Sequence, residues 1–132
     1  MKSKITAAWE QLGAIGGARD DSSKWTEDRS TLWITLWSDR MKRVKSGVYR
    51  YTLCEDKDLE RNIGARHHAN VREAIERGVS MRGFLVWPKK ELNAQGRRGV
   101  EDADPTRQYD VEVESRDGNQ IVALVRGLPQ EK

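Results

Sequence analysis

An α+β fold is predicted by the order in which helical and strand periodicities alternate: a short amphipathic helix, two strands, a longer helix, then three or four strands. The chain of 132 residues suits one domain built around one core. The expected body is a curved antiparallel or mixed sheet with two helices on a face or edge, a pseudo-barrel being one form of it. Residues 1–30 would supply an N-terminal helix and loop, residues 31–127 the α+β body, and residues 128–132 a tail.

Ser3 is a suitable N-cap, and Ile5, Ala8, Trp9 and Leu12 recur at helical spacing, so Ser3–Gly13 reads as a helix stopped by Gly13, Gly16 and Gly17. Ala18–Ser30 is polar and reads as a loop, with Trp25 as its anchor. Thr31–Ser38 is the clearest strand. On a period of two, Trp33, Thr35 and Trp37 point one way while Leu32, Ile34 and Leu36 point the other, so both faces need cover. Gly47–Leu53, with Val48, Tyr49, Tyr51 and Thr52, is its expected antiparallel partner, which makes the segment between them a hairpin loop.

Asn62–Arg77 reads as the main helix, with Val71, Ala74 and Ile75 as an apolar stripe and Gly78 as its stop, although Gly64 interrupts the early turns. Val79–Trp87 is a third strand, ended by Pro88 ahead of the basic PKKELNAQGRRG. Gly99–Ala103 adds a short strand. Gln108–Glu114 and Gln120–Arg126 form a hairpin across a tight turn at Asp117-Gly118.

Charge is informative in its distribution. The 24 Lys and Arg are nearly balanced by 21 acids, and a net charge of +3 does not by itself indicate nucleic acid. Residues 40–50, however, hold five cations and no acid, and residues 89–98 hold four cations and one acid, whereas Glu55–Glu60 and Glu101–Asp104 are acidic. A positive side and a negative side are expected. Cys54 is the single cysteine, which excludes a disulfide framework and a thiolate zinc site. No window approaches the ~18–20 apolar residues of a membrane helix, so neither a membrane partner nor an extracytoplasmic location is expected.

No catalytic constellation emerges. His67 and His68 are adjacent, so on a helix they diverge and do not make one metal site, and nothing else in the chain completes a tetrahedral set. His68 reads instead as a polar or phosphate contact beside Arg66 and Arg72. Asp110, Glu112 and Glu114 share a strand face, a pattern more typical of a solvated face than of a Mg²⁺ site. Cys54 precedes Glu55-Asp56, an acidic setting that raises a thiol pKa. No phosphate loop or nucleophile elbow is present. No cofactor and no metal are therefore expected.

Binding has more support. Cations from three separated segments, with aromatics among them, fit phosphate neutralisation combined with base stacking. The candidate phosphate contacts are Arg40, Lys42, Arg43, Lys45, Arg66, His68, Arg72, Lys89, Lys90, Arg97 and Arg98. The candidate base pocket is Trp33, Trp37, Tyr49 and Trp87, with Asp39 for the base edge. Whether Trp33 and Trp37 face a ligand or the core is left open by the pattern.

The succession TLWITLWSDR, GVYRY, RHHANVREAIERG, MRGFLVW and DPTRQYDVEVESRDGNQIVALVRG resembles the N-terminal recognition domains of McrA-like modification-dependent endonucleases over about Thr31–Gly127. Base readers of the PUA, SRA and EVE type are a wider comparison, being small, α+β and aromatic-lined. The resemblance implies a DNA reader without a nuclease of its own, because no His-Asn-His module follows before Lys132.

The leading expectation is a small stand-alone cytoplasmic DNA-binding domain, with the reading of a modified or flipped base as its sharper form. The first alternative is a protein-interaction module, such as a phage-type inhibitor of host defence. The second is a metal-dependent nuclease or processing factor using Asp104, Asp110, Glu112 and His68.

Overall fold

The computed structural model describes residues 3–14, 22–94 and 98–128. Among these, two helices, α1 (Lys4–Gln11) and α2 (Asn62–Arg77), accompany seven strands: β1 (Ser23–Trp25), β2 (Thr31–Trp37), β3 (Lys42–Lys45), β4 (Val48–Cys54), β5 (Ser80–Leu92), β6 (Arg98–Asp117) and β7 (Gln120–Gly127). All seven belong to one mixed sheet in the order β1-β2-β5-β6-β7-β4-β3, and the α+β expectation holds.

The pairing of β2 departs from the local pattern. β2 lies parallel to β5 and antiparallel to β1, while β4 lies between β7 and β3. The expected β2–β4 hairpin is therefore absent, and the basic segment between them forms β3, an exposed edge strand rather than a loop. Residues 18–21 of the expected N-terminal loop, with Gly16 and Gly17, lie outside the described residues, and Ser23–Trp25 of that loop forms β1. Pro88 does not end β5. It sits at a register shift opposite Val100, where its missing N–H breaks no regular ladder. The short strand at Gly99–Ala103 and the strand at Gln108–Glu114 are parts of one long β6.

Connectivity forces the sheet to curl. Laid flat, five strand spacings would separate β2 from β3 by about 24 Å. The linking residues Ser38–Met41, part of them a 3-10 turn, span at most about 18 Å when fully extended. The bend is also visible across the interior. The Trp37 N–H on β2 donates to the Tyr51 phenol oxygen on β4 at 3.1 Å, although β5, β6 and β7 lie between these strands in the sheet. The result is a partly closed barrel.

Its inner face carries Leu32, Ile34 and Leu36 of β2, Met81 and Leu85 of β5, Val111 of β6, Ile121, Ala123 and Val125 of β7, and Tyr51 and Leu53 of β4. Val71 and Ala74 of α2 join this cluster. The outer face of β2 and β5 is covered by α1: Ile5, Ala8 and Trp9 pack with Trp33, Phe84 and Val86. This two-sided cover is what the apolar alternation of Thr31–Ser38 demands. Gly83 follows from the same crowding, because a Cβ there would overlap the Leu36 side chain.

Local signals account for the helices. The Ser3 hydroxyl accepts from the Thr6 N–H at 3.3 Å as the N-cap of α1. Gly78 ends α2 in the left-handed conformation at φ 65°. Gly64 does not interrupt α2; it lies so close to the Asp58 backbone that any Cβ would collide with that carbonyl.

Helix α2 closes the end of the barrel where β2 and β5 begin. His67 and His68 face inward there and are 6% and 2% exposed, so neither is a surface histidine. The Leu53 carbonyl can only accept, so His67 Nε2–H donates to it at 2.9 Å, and Nδ1 accepts the Ser23 hydroxyl at 2.8 Å. Asn70 donates to the same Ser23 oxygen at 3.2 Å and accepts from the Trp25 indole N–H at 3.1 Å, which makes Trp25 the anchor expected of it. His68 Nε2–H donates to the Asn119 carbonyl at 2.8 Å.

Burial holds the His67 pKa below its ordinary 6.5. The neutral imidazole therefore contributes stability that is complete above about pH 6.5 and is lost as pH falls through the depressed folded-state pKa. Chemical denaturation is expected to show a lower midpoint at about pH 5 than at about pH 7.5, with a flatter profile for His67→Gln. A wild-type midpoint that stays level across that range would contradict this account of the network.

Candidate nucleic-acid interface

Among the described residues no helix covers the end of the barrel opposite α2, and the strand register decides what lines it. On β4, residues 49, 51 and 53 share the inner face, and on β5 residues 85 and 87 do. Tyr49, Trp87 and Tyr109 are accordingly half-buried against the inner cluster, together with Met41. Tyr109 lies opposite Gly127, the last residue of β7, and β2 ends at Trp37, opposite Val86. These aromatics therefore stand where the barrel runs out of neighbouring strands, with part of each ring uncovered. Tyr49 meets Tyr109 edge-on, with ring centroids 6.2 Å apart at 78°.

Tyr51 forms the floor. It is 5% exposed, its oxygen is engaged by the Trp37 N–H, and burial pushes its phenol pKa above the usual value. Burial also raises the Tyr109 phenol, with smaller contributions from Tyr49 and Asp104 opposed by Arg107. Both phenols stay protonated at neutral pH and can donate hydrogen bonds.

A bulge in β6 makes one lip of the mouth. The register steps from Leu85 opposite Asp104 to Phe84 opposite Gln108, which extrudes residues 105–107. The Asp104 carboxylate accepts from the Thr106 N–H at 3.0 Å and hydroxyl at 2.6 Å, and Gln108 donates to the Pro105 carbonyl at 3.0 Å. The Thr106 hydroxyl bond is the main reason the Asp104 carboxyl sits below its usual range. Arg107 folds back so that its guanidinium lies 5.9 Å from the Trp87 ring centroid.

Edge strand β3 forms the opposite lip. Lys42, Arg43 and Lys45 are exposed, and none is paired with an acid among the described residues. Arg43 lies opposite Tyr49 and thus shares its inward face, while Lys42 lies opposite Arg50, which is tied to Glu114 at 2.6 Å on the outer side. Lysine on an edge strand also guards against edge-to-edge aggregation, so these charges have a structural role as well. Arg40 is exposed at the end of the 3-10 turn that leads from β2 to β3.

The structure separates the sequence-predicted residues into groups. Tyr49 and Trp87 come together at the mouth, with Arg40, Lys42, Arg43 and Lys45 on its rim; Lys89 and Lys90 are exposed on the part of β5 that projects beyond the end of β2. Trp33 is core, 7% exposed under α1. Trp37 faces outward toward α1, and its ring is covered by the Arg98 guanidinium at 4.6 Å. Arg98 is itself paired with Asp39, and this hydrogen bond holds the Asp39 carboxyl below its usual range. Asp39 and Arg98 thus act as a strut between the β2 end and the start of β6, rather than as a base-edge reader and a phosphate contact.

Arg66 and Arg72 are on α2, at the far end of the barrel, and His68 is buried, so the third basic segment does not join the other two. Arg97 lies outside the described residues. The carboxylates invoked for a nuclease are scattered: Asp110 and Glu112 are exposed on the outer face, Asp104 belongs to the bulge, and His68 is spent on Asn119. Among the described residues no cluster of three or more His, Cys, Asp and Glu is placed to hold a metal ion. The Cys54 thiol is pushed up to about 12, by burial first and Asp58 second, and is inert as a nucleophile. No helix among the described residues is long and apolar enough to cross a membrane.

Arg107 and Tyr109 complete a candidate site that the pattern of basic runs and tryptophans did not include, with Tyr51 as its buried floor. A signal for the first two was present in Asp104-Pro105-Thr106-Arg107, a turn-forming tetrapeptide interrupting a strand directly before Tyr109. Compared with known proteins, the chain matches no family model, no curated protein and no solved structure.

Proposed function

We propose that this domain binds DNA and receives a single base, displaced from its stack, in the open end of the barrel. The observation that carries the reading is the set of half-buried aromatics Trp87, Tyr49 and Tyr109 at that end, beside the acid-free strand Lys42–Lys45. Partly exposed flat rings can stack on any base, and exposed cations on the lips neutralise the flanking phosphates. The Tyr51 and Tyr109 hydroxyls supply donors to the edge of the ring. A duplex base reaches such a site only by flipping, which favours a mismatched, damaged or modified base that leaves its stack cheaply. The resemblance to McrA-like recognition domains and to PUA, SRA and EVE readers points the same way.

Fluorescence anisotropy with a labelled duplex across a salt series tests this. Arg43→Glu with Lys45→Glu is expected to weaken all sequences alike. The slope of log Kobs against log salt should fall by about 0.9 for each phosphate that the variant no longer neutralises. Salt-insensitive binding, or no binding to plain or modified DNA, overturns the reading; retention of a protein from nuclease-treated lysate in place of DNA would favour an interaction module.

A further inference from the structure

We infer that Arg107 is an exchangeable cap on Trp87, which leaves the ring when a base enters and then holds that base's phosphate. This rests on the base-reading proposal for the same site.

The two arginine–tryptophan contacts at this end of the molecule differ in kind. Arg98 over Trp37 is 24% exposed in its side chain and bonded to Asp39, as a fixed strut. Arg107 is 54% exposed and is held by an Asp104 carboxylate 3.6 Å from its Nε and by the Trp87 ring. Both of its contacts belong to the weak, solvent-screened class. The bulge backbone beneath it, by contrast, is fastened by Thr106 and Gln108. The side chain can therefore swing while its root stays placed.

A ring that stacks on the face of Trp87 covered by the Arg107 guanidinium must displace that guanidinium. The displaced guanidinium remains within a side chain's length of the ring's attachment point, where a phosphate compensates it by paired N–H···O bonds. The cap thus selects ligands that offer a planar ring and an anion together. An uncharged aromatic group meets the cost of displacement without the compensation, so the substrate class is a phosphate-linked nucleotide rather than a free base or an aromatic peptide side chain.

The test uses a duplex bearing 2-aminopurine opposite an abasic site, with either phosphodiester or uncharged methylphosphonate linkages flanking it, and reads affinity and emission quenching. Arg107→Ala is expected to tighten the methylphosphonate probe by roughly two- to fivefold, the size of one exposed cation–π contact, and to weaken the phosphodiester probe. Arg107→Lys, which keeps the charge but not the paired N–H fork, should restore the latter in part. Arg107→Ala changes of the same sign on both probes, or no change on either, overturn the inference. Trp87→Ala separates the two levels: if it leaves affinity and quenching of both probes unaltered, the base-reading proposal itself fails and takes the cap with it.

Discussion

Trp87→Ala is expected to weaken binding of a duplex carrying a displaced base by about 1–3 kcal/mol, roughly five- to 150-fold in Kd. The same substitution should also lower the thermal midpoint, though less than truncation of a fully buried tryptophan, because Trp87 is half-buried against the inner cluster. Under the proposed function, binding to an undamaged duplex depends on the cationic lips and should fall far less. Trp33→Ala is the matched control. That ring is 7% exposed beneath α1, so its loss should lower stability without a selective effect on the favoured base. Calorimetry together with anisotropy on both variants reads the difference, and a Trp87→Ala protein with wild-type selectivity would remove the mouth from consideration as the site.

Phe84→Ala is expected to cost about 3–5 kcal/mol of folding stability. Phe84 is fully buried and meets the Trp9 ring edge-on, with centroids 5.1 Å apart at 86°, so with Val86 it joins β5 to α1. Truncation leaves a void that the sheet cannot close, since the opposite side of β5 is packed against the inner core. Against a total stability of about 5–15 kcal/mol for a domain of this kind, a large share of the folded margin disappears. Urea denaturation monitored by tryptophan emission should report a large drop in midpoint. A loss below about 1 kcal/mol would mean that α1 is not part of the cooperative unit.

The two faces of β2 were legible because alternation is a local property: Leu32, Ile34 and Leu36 went to one core and Trp33 and Trp37 to the other side. The partner of β2 was not. A basic stretch between two strands looks like a hairpin, whereas the actual partner β5 arrives after two strands and a helix, and nothing near Thr31 encodes that distance. The histidines on α2 show a signal that was present but outweighed by residue type. His67 and His68 stand four and three residues before Val71, on the buried stripe, yet imidazole reads as polar until Ser23, Leu53 and Asn119 are seen to satisfy it.

Sequence by itself therefore determined the α+β class, the amphipathic helix caps, the strand faces and the acid-free run at β3, all of which depend on residues within a turn or two of one another. Tertiary structure alone decided the candidate site. Trp87 faces the mouth and Trp37 faces away because adjacent positions across a parallel pair alternate sides, and Tyr109 joins Tyr49 only through the register of β6, β7 and β4. Arg98 looked like one more phosphate contact until the curl of the sheet brought Asp39 to it from 59 residues away. Charge and aromaticity are properties of residues, but whether a cation is free or a ring is uncovered depends on what the rest of the chain places beside it.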